Sequence, residues 1–189
     1  MLRDCGAPAQ SEDAIGRMVG DGAATLVARA FAAAGAPQPP DALARFLAVY
    51  DGRVLRFTRP YAGIVELLDA LDRRVALAVL TNKPFAATTS ILEGLGLSRY
   101  FPQRVIGGDG PLPRKPDPTG LRALMVQAGV HPSQTLMVGD SVVDWRTAHA
   151  GHARCCIARY GFGFAGFPVH EATPDDRFID QPADVLSLV

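Results

Sequence analysis

Residues 75–82 read VALAVLTN, an apolar run of six residues followed directly by a hydroxyl and an amide side chain. A short apolar run between polar neighbours, here RR at 73–74 and TN at 81–82, is typical of a strand buried on both faces of a parallel sheet. We therefore predict a buried strand over residues 75–80, with its polar ending at the edge of the sheet.

Outward from that strand, helical and extended patterns alternate along the chain. Helical periodicity is found around residues 64–71, 84–96, 118–129 and 141–150, and short apolar strand patterns are found at 104–107, 135–138, 155–158 and 177–179. This alternation predicts parallel βαβ units, and hence an α/β protein with a Rossmann-like doubly wound sheet. Ligands of such sheets bind beyond the carboxyl ends of the strands.

The first third of the chain has helical patterns and no strand pattern. Ser11 is a good N-cap for a first helix, a glycine pair at 20 and 22 interrupts the pattern, and the proline-rich stretch 36–40 ends a second helix. We expect two domains: a small helical cap over residues 1–57 and an α/β core over residues 58–189.

The overall composition argues against several classes of function. Lys+Arg and Asp+Glu both number 19, so the net charge is zero, and no run of basic residues offers a footprint for nucleic acid. The longest apolar run is far too short for a spanning helix, and the first residues resemble no export signal. We expect a cytoplasmic protein that binds neither nucleic acid nor membrane. The sequence gives no indication of its oligomeric state.

Three cysteines, Cys5, Cys155 and Cys156, are present. An odd number, with two adjacent in an apolar run, argues against a disulfide framework and against a zinc site. We expect the adjacent pair to pack as small apolar side chains.

Polar groups gather at two strand ends and in one stiff loop. Thr81 and Asn82 follow the predicted strand 75–80 and could donate to an anionic oxygen, although polar residues end most strands. Lys115 lies in the loop RKPDP at 114–118, where two prolines hold the backbone extended. It could neutralise a phosphoryl group, or it could be an ordinary solvated lysine.

A pair of acids follows the strand predicted at 135–138. Asp140 and Asp144 would lie on one side of a first helical turn, about 6 Å apart at Cβ. Two carboxylates so close repel unless a cation or a lysine lies between them, and hard oxygen ligands suit Mg²⁺. The alternative is an N-cap at Asp140 with Asp144 on the surface. A hydroxyl and amide, a lysine and a diacid at one sheet edge are together the accessories of phosphoryl transfer.

These runs carry a resemblance to a known family. LTNK at 80–83, RKPDP at 114–118 and VGDSVVD at 138–144 resemble the second, third and fourth motifs of the haloacid-dehalogenase-like hydrolases, above all the phosphoglycolate phosphatase group. The cap-like run MVGDGA at 18–23 and the run VIGGD at 105–109 extend the likeness over essentially the whole chain.

The resemblance implies a magnesium-dependent phosphatase of small phosphorylated metabolites such as 2-phosphoglycolate, and a role for each site residue. Thr81 and Asn82 would bind the phosphate, and Lys115 would steady both the phosphate and the charge of the nucleophile. Asp140 would be a direct Mg²⁺ ligand, with Asp144 in its outer shell. The loop at 20–22 would reach the substrate from the cap. Dehalogenases of the same superfamily do without magnesium, so the two acids favour a phosphatase.

The family's first motif, an apolar strand ending in Asp-x-Asp-Gly-Thr, has no counterpart in the 189 residues. Asp4, Asp21 and Asp109 lie in the wrong context to replace its nucleophile. We expect the chain to begin partway along the first cap helix and to lack the central strand between those predicted at 75–80 and 135–138. Such a chain should fold poorly or close the gap by local rearrangement, and it should not turn over phosphate esters.

Two other functions remain open at this point. A non-catalytic relic could bind phosphate or a protein partner through the cap, although a relic has no need of magnesium ligands. A phosphosugar mutase of the same superfamily would differ in its cap chemistry, which one sequence does not reveal.

Overall fold

A computed structural model describes all 189 residues of the chain. Its helices are α1 Glu12–Gly16, α2 Ala23–Ala33, α3 Ala42–Asp51, α4 Ile64–Leu71, α5 Phe85–Gly94, α6 Thr119–Ala128 and α7 Val142–Gly151. Its strands are β1 Val79–Leu80, β2 Val105–Ile106, β3 Leu136–Gly139, β4 Arg154–Ala158 and β5 Arg177–Ile179. Helices and parallel strands alternate from α4 to β4, which confirms the predicted α/β class.

The parallel strands form two separate sheets, one of β1 and β2 and one in the order β3-β4-β5. The two sheets lie side by side, because they share the same apolar clusters. Leu80 packs against the cluster that contains Met137, while Leu77 and Leu136 pack against a second cluster on β4. The expected interruption of the sheet between β1 and β3 is therefore present in the structure.

The strand predicted over 75–80 is shorter than expected and is not buried on both faces. Only Val79 and Leu80 are extended and paired, both are half-buried, and Val75 is 40% exposed. The N–H groups of Val79 and Thr81 donate to the carbonyls of Arg104 and Ile106 at 2.8 and 3.0 Å. Because β1 has a partner on one edge only, nothing holds residues 75–78 in an extended ladder.

Strand β4 is the centre of the core, since its side chains alternate between two apolar layers. Cys155 and Ile157 pack on one face with residues of α6 and α7, and Cys156 and Ala158 pack on the other with residues of α4. Both cysteines are buried and free, so the expected packing role is confirmed.

Residues 1–57 contain α1, α2 and α3 and no strand. Ser11 caps α1 by accepting from the N–H of Ala14 at 3.2 Å, as its position predicts. Val27, Phe31 and Ala42 form an apolar cluster of their own. The division into two domains at residue 57 stays a prediction. None of the helices combines the length and apolarity needed to cross a bilayer.

Candidate active site

The turn from β3 into α7 fixes the position of Asp144. Ser141 is the N-cap of α7, and Asp144 Oδ2 accepts hydrogen bonds from the N–H groups of Ser141 and Asp140 at 3.1 and 3.2 Å. This reciprocal arrangement is a capping box, and it buries Asp144 to 7% exposure. The alternative reading, with Asp140 as the cap and Asp144 on the surface, is therefore wrong.

Glycine is required at the end of β3 because the chain approaches Asp144 closely there. A Cβ atom on Gly139 would lie 2.2 Å from Asp144 Cβ. Any side chain at this position would push the carboxylate out of its capping box.

Lys115 and Asp144 form a largely buried ion pair. The Lys115 ammonium donates to Asp144 Oδ1 at 2.6 Å, and the two side chains are 12% and 10% exposed. Burial acts to raise the pKa of Asp144. The Lys115 charge and hydrogen bond, together with the donors at Ser141 and Asp140, outweigh burial and leave the pKa below its ordinary value. Asp144 thus stays ionised and fixes the lysine in place.

Asn82 connects the segment around Lys115 with the loop at 20–22. Its Nδ2 donates to the carbonyl of Lys115 at 2.9 Å and to the carbonyl of Gly20 at 3.0 Å. Both amide hydrogens are engaged in this way, while the buried Oδ1 has no donor. Here Asn82 positions the backbone of Lys115, and its predicted contact with phosphate stays a prediction.

Thr81 keeps its hydroxyl hydrogen available. Its Oγ1 accepts from the N–H of Lys83 at 3.1 Å, so the O–H remains free to donate. The Lys83 ammonium donates to the Tyr50 hydroxyl on α3 and lies 5.0 Å from the centre of that ring. Lys83 therefore contacts the predicted cap instead of pointing into solvent.

Asp140 has one oxygen in use and one oxygen free. Its Oδ2 accepts from the N–H of Gly163 at 2.8 Å, and its Oδ1 accepts no hydrogen bond. The loop after β4 comes so close that a Cβ atom on Gly161 would lie 2.1 Å from Asp140 Cβ. Since both oxygens of Asp144 are occupied, a cation at this site would take Asp140 Oδ1 as its protein ligand. A hard carboxylate oxygen with room for water suits Mg²⁺.

Arg114 provides a further contact between the core and the loop at 20–22. Its Nε donates to the carbonyl of Gly108 at 2.5 Å, and its Nη1 lies 3.5 Å from the carbonyl of Asp21. With the Asn82 bond to Gly20, the loop is held against the site at two points. The structure thus places the loop beside the carboxyl end of β1, and its contact with a substrate stays a prediction.

One cavity lies away from this cluster. It measures about 390 Å³, is lined mainly by apolar residues of the first 46, among them Leu26, Ala30 and Phe46, and contains none of the predicted site residues. The candidate site itself is a cluster of polar groups at the sheet edge.

Three contacts at the site were not identified from the sequence. The role of Ser141 as an N-cap could have been predicted from the sequence, because Ser-x-x-Asp at the start of a helix is a capping-box pattern. Gly163 and the Lys83–Tyr50 contact had no local signal, since their partners are 23 and 33 residues away along the chain.

Comparison with known proteins agrees with this fold. Residues 2–152 match the family model of haloacid dehalogenase-like hydrolases. Phosphoglycolate phosphatase of Rhodospirillum rubrum is 46% identical over 160 residues, which are 80% of this chain and 66% of that protein. Phosphoglycolate phosphatase 1 of Pseudomonas aeruginosa is 37% identical over 194 residues, covering 98% of this chain and 70% of that protein.

A solved structure gives the same result in three dimensions. The crystal structure of a predicted phosphoglycolate phosphatase from Haemophilus somnus superposes with a TM-score of 0.88 at 30% sequence identity, over 99% of this chain and 86% of that one. The chain spans about two thirds of the length of the curated relatives named above. On the match over residues 2–152, the chain belongs to the haloacid dehalogenase-like hydrolases.

Proposed function

We propose that this chain forms the greater part of a magnesium-dependent phosphomonoester hydrolase that acts on a small phosphorylated metabolite such as 2-phosphoglycolate. The observation that carries the proposal is the Lys115 ammonium, which lies 2.6 Å from Asp144. Asp144 is on the same turn as Asp140, whose Oδ1 accepts no hydrogen bond. The relatives named phosphoglycolate phosphatase support the substrate. The net charge of zero supports a small metabolite over nucleic acid as the binding partner. The proposed location of the protein is the cytoplasm.

Lys115 and Thr81 would act on the phosphate. Asp144 keeps the ammonium in place, and the ammonium neutralises charge that develops on the phosphoryl oxygens during transfer. The free hydroxyl hydrogen of Thr81 would donate to another of these oxygens. Asn82 would fix the Lys115 backbone through the bond to its carbonyl, and would bind phosphate only after releasing one of its two carbonyl partners.

Asp140 would hold the magnesium ion through its free Oδ1. Gly163 fixes the carboxylate by donating to the other oxygen, so the free one has a defined direction. When bound, the ion supplies charge neutralisation at the phosphate. Asp144 would act on it only through the outer shell, because both of its oxygens are already engaged.

The attacking carboxylate of the family is not among these residues, since the 189 residues contain no Asp-x-Asp-Gly-Thr run. We therefore propose that the 189-residue chain alone does not hydrolyse phosphate esters. The same groups would still allow it to bind phosphate, which is the activity that a non-catalytic relic would retain.

The test is a phosphate-release assay with 2-phosphoglycolate and an aryl phosphate, with and without Mg²⁺. It compares the 189-residue chain with the same chain preceded by an apolar strand ending in Asp-x-Asp-Gly-Thr. We expect turnover only in the longer protein and its loss in Asp140→Asn. Absence of Mg²⁺-dependent turnover in the longer protein would contradict the phosphatase proposal. Rapid turnover by the shorter chain, lost in Asp140→Asn, would place a nucleophile among the residues described.

A further inference from the structure

A histidine, a cysteine and an aspartate meet where α7 packs against β4. His149 lies in the last turn of α7, Cys155 lies on β4, and Asp176 directly precedes β5. Their ligating atoms, which are His149 Nε2, Cys155 Sγ and a carboxylate oxygen of Asp176, all lie within 4.8 Å of one another. None of these residues belongs to the candidate active site, and the proposed phosphatase does not use them.

The carboxylate of Asp176 is held firmly, with one oxygen beside His149. Its Oδ2 accepts from the Nε1–H of Trp145 at 2.9 Å and from the N–H and hydroxyl of Thr173 at 2.8 and 3.0 Å. Its Oδ1 lies 2.7 Å from His149 Nε2. The Trp145 ring also packs against the His149 ring, with the ring centres 4.9 Å apart. Neighbouring side chains thus orient two of the three groups, which is the usual arrangement around metal ligands in proteins.

The charge of Asp176 is buried without a lysine or arginine beside it. Its side chain is 1% exposed, and its one ion-pair contact is with His149, which is charged only when protonated. A divalent cation bound by this carboxylate, by the Cys155 thiolate and by neutral His149 would form a cluster of zero net charge. Such a cluster costs less to bury than a carboxylate alone.

The types of ligand favour zinc over magnesium. Thiolate and imidazole are common ligands of Zn²⁺, whereas Mg²⁺ binds hard oxygen ligands. Two ligand atoms on a tetrahedral zinc ion lie about 3.3 Å apart, so the His149 ring would move outward by roughly 0.6 Å when the ion binds. The His149 side chain is 40% exposed, so it has room for this shift, and water can reach the fourth position of the ion.

We infer that His149, Cys155 and Asp176 form a zinc site that joins α7, β4 and the segment before β5. Binding breaks the S–H bond of Cys155, forms a zinc–sulfur bond and releases one proton to solvent. The adjacent cysteines argued against a zinc site in the sequence. Here a single cysteine is joined by a histidine and an aspartate that only the fold brings to it. The site does not depend on phosphatase activity.

Cobalt is the spectroscopic probe, because Co²⁺ bound by a thiolate absorbs in the near ultraviolet through sulfur-to-cobalt charge transfer. The protein is the 189-residue chain with Cys5→Ser, treated with EDTA and then freed of it. One equivalent of Co²⁺ should produce the charge-transfer band, and Zn²⁺ should remove it by displacement. Zn²⁺ at about a hundredfold excess over its Kd should raise the melting temperature by roughly 5–10 °C.

Two pairs of matched substitutions test the location. Cys155→Ser should abolish the band, whereas Cys156→Ser, on the opposite face of β4, should keep it. His149→Gln should weaken Zn²⁺ binding at least tenfold, and His152→Gln, at the exposed residue that follows α7, should leave it unchanged. Circular dichroism establishes which variants are folded, and the exposed histidine pair provides the test if Cys155→Ser does not fold.

Absence of the charge-transfer band in the folded chain would overturn the inference. So would a band that persists in Cys155→Ser and disappears in Cys156→Ser. Zn²⁺ binding that gives no such band with Co²⁺ and is lost in Asp140→Asn would also overturn it, because the ion would then lie at the candidate active site.

Discussion

The ammonium of Lys115 lies 2.6 Å from the carboxylate of Asp144, and the same carboxylate caps helix α7. One side chain therefore stabilises the start of a helix and holds the charge proposed to meet the phosphate. The chain contains a second box of the same form without a lysine. There Asp184 Oδ2 accepts from the N–H groups of Asp180 and Gln181 at 3.1 and 3.2 Å.

Asp144→Asn should lower the free energy of unfolding by about 3 kcal/mol, because it leaves a largely buried ammonium without its counter-ion. Asp184→Asn is the matched control and should cost about 1 kcal/mol, the usual value of a cap. Urea unfolding at pH 7 measures both. A double-mutant cycle with Lys115→Met isolates the ion pair. Equal losses in the two aspartate variants would mean that the contact with Lys115 contributes nothing.

Gly161→Ala should displace Asp140, because the new Cβ would lie 2.1 Å from Asp140 Cβ. We expect a loss of about 1–3 kcal/mol, typical of an added methyl group in a packed site. Gly166→Ala is the control, since a Cβ there meets nothing within 4 Å. The rise in melting temperature produced by Mg²⁺ should be smaller in Gly161→Ala than in Gly166→Ala. An equal rise in the two variants would argue against Asp140 as the magnesium ligand.

The sequence predicts the elements whose signal is local. The strand at 177–179 is found at the predicted residues, and α7 begins one residue after its predicted start. The site also follows from a local rule, because Thr81 and Asp140 follow strand ends and parallel strands end at one edge. The interruption of the sheet was expected from the absence of the family's first motif.

The remaining features depend on contacts between distant residues. Residues 75–78 have a strand composition, but a segment forms a strand only where a neighbouring strand pairs with it, and a linear pattern does not show which partners are present. The direction of the Asn82 amide depends on carbonyls 33 and 62 residues away. The Nε2 atom of His149 lies 2.7 Å from Asp176 Oδ1, a contact over 27 residues that no local pattern indicates.

Asp176 should make the protein sensitive to acid. Burial acts to raise its pKa. Donors from Thr173, Trp145 and His149 outweigh burial and lower the pKa to about 2. A carboxyl group of the unfolded chain titrates near pH 4, so the unfolded state binds the proton more readily. The contribution of Asp176 is therefore complete above about pH 4 and is lost as the pH falls towards 2.

Urea unfolding at pH 6, 4 and 3 tests this dependence. Asp176→Asn should cost on the order of 2 kcal/mol at pH 6, because it exchanges an ionised acceptor for a neutral amide among several donors. Its stability should then fall less between pH 4 and 3 than that of the original chain. Asp175→Asn, at the exposed neighbouring position, should keep the original slope. A slope that is identical in all three proteins would exclude Asp176 as a source of the acid sensitivity.

The thiols of β4 should be inert while the protein is folded. Burial raises the pKa of Cys155 to about 12 and that of Cys156 to about 11, so almost no thiolate is present at pH 8. Cys5 is half-buried and should react first with Ellman's reagent, with the other two reacting only after urea is added. Cys5→Ser should abolish the early phase and leave the urea-dependent one. Rapid reaction of two or three thiols in the native chain would show that β4 opens readily, as expected if the unpaired edge of β3 destabilises the sheet.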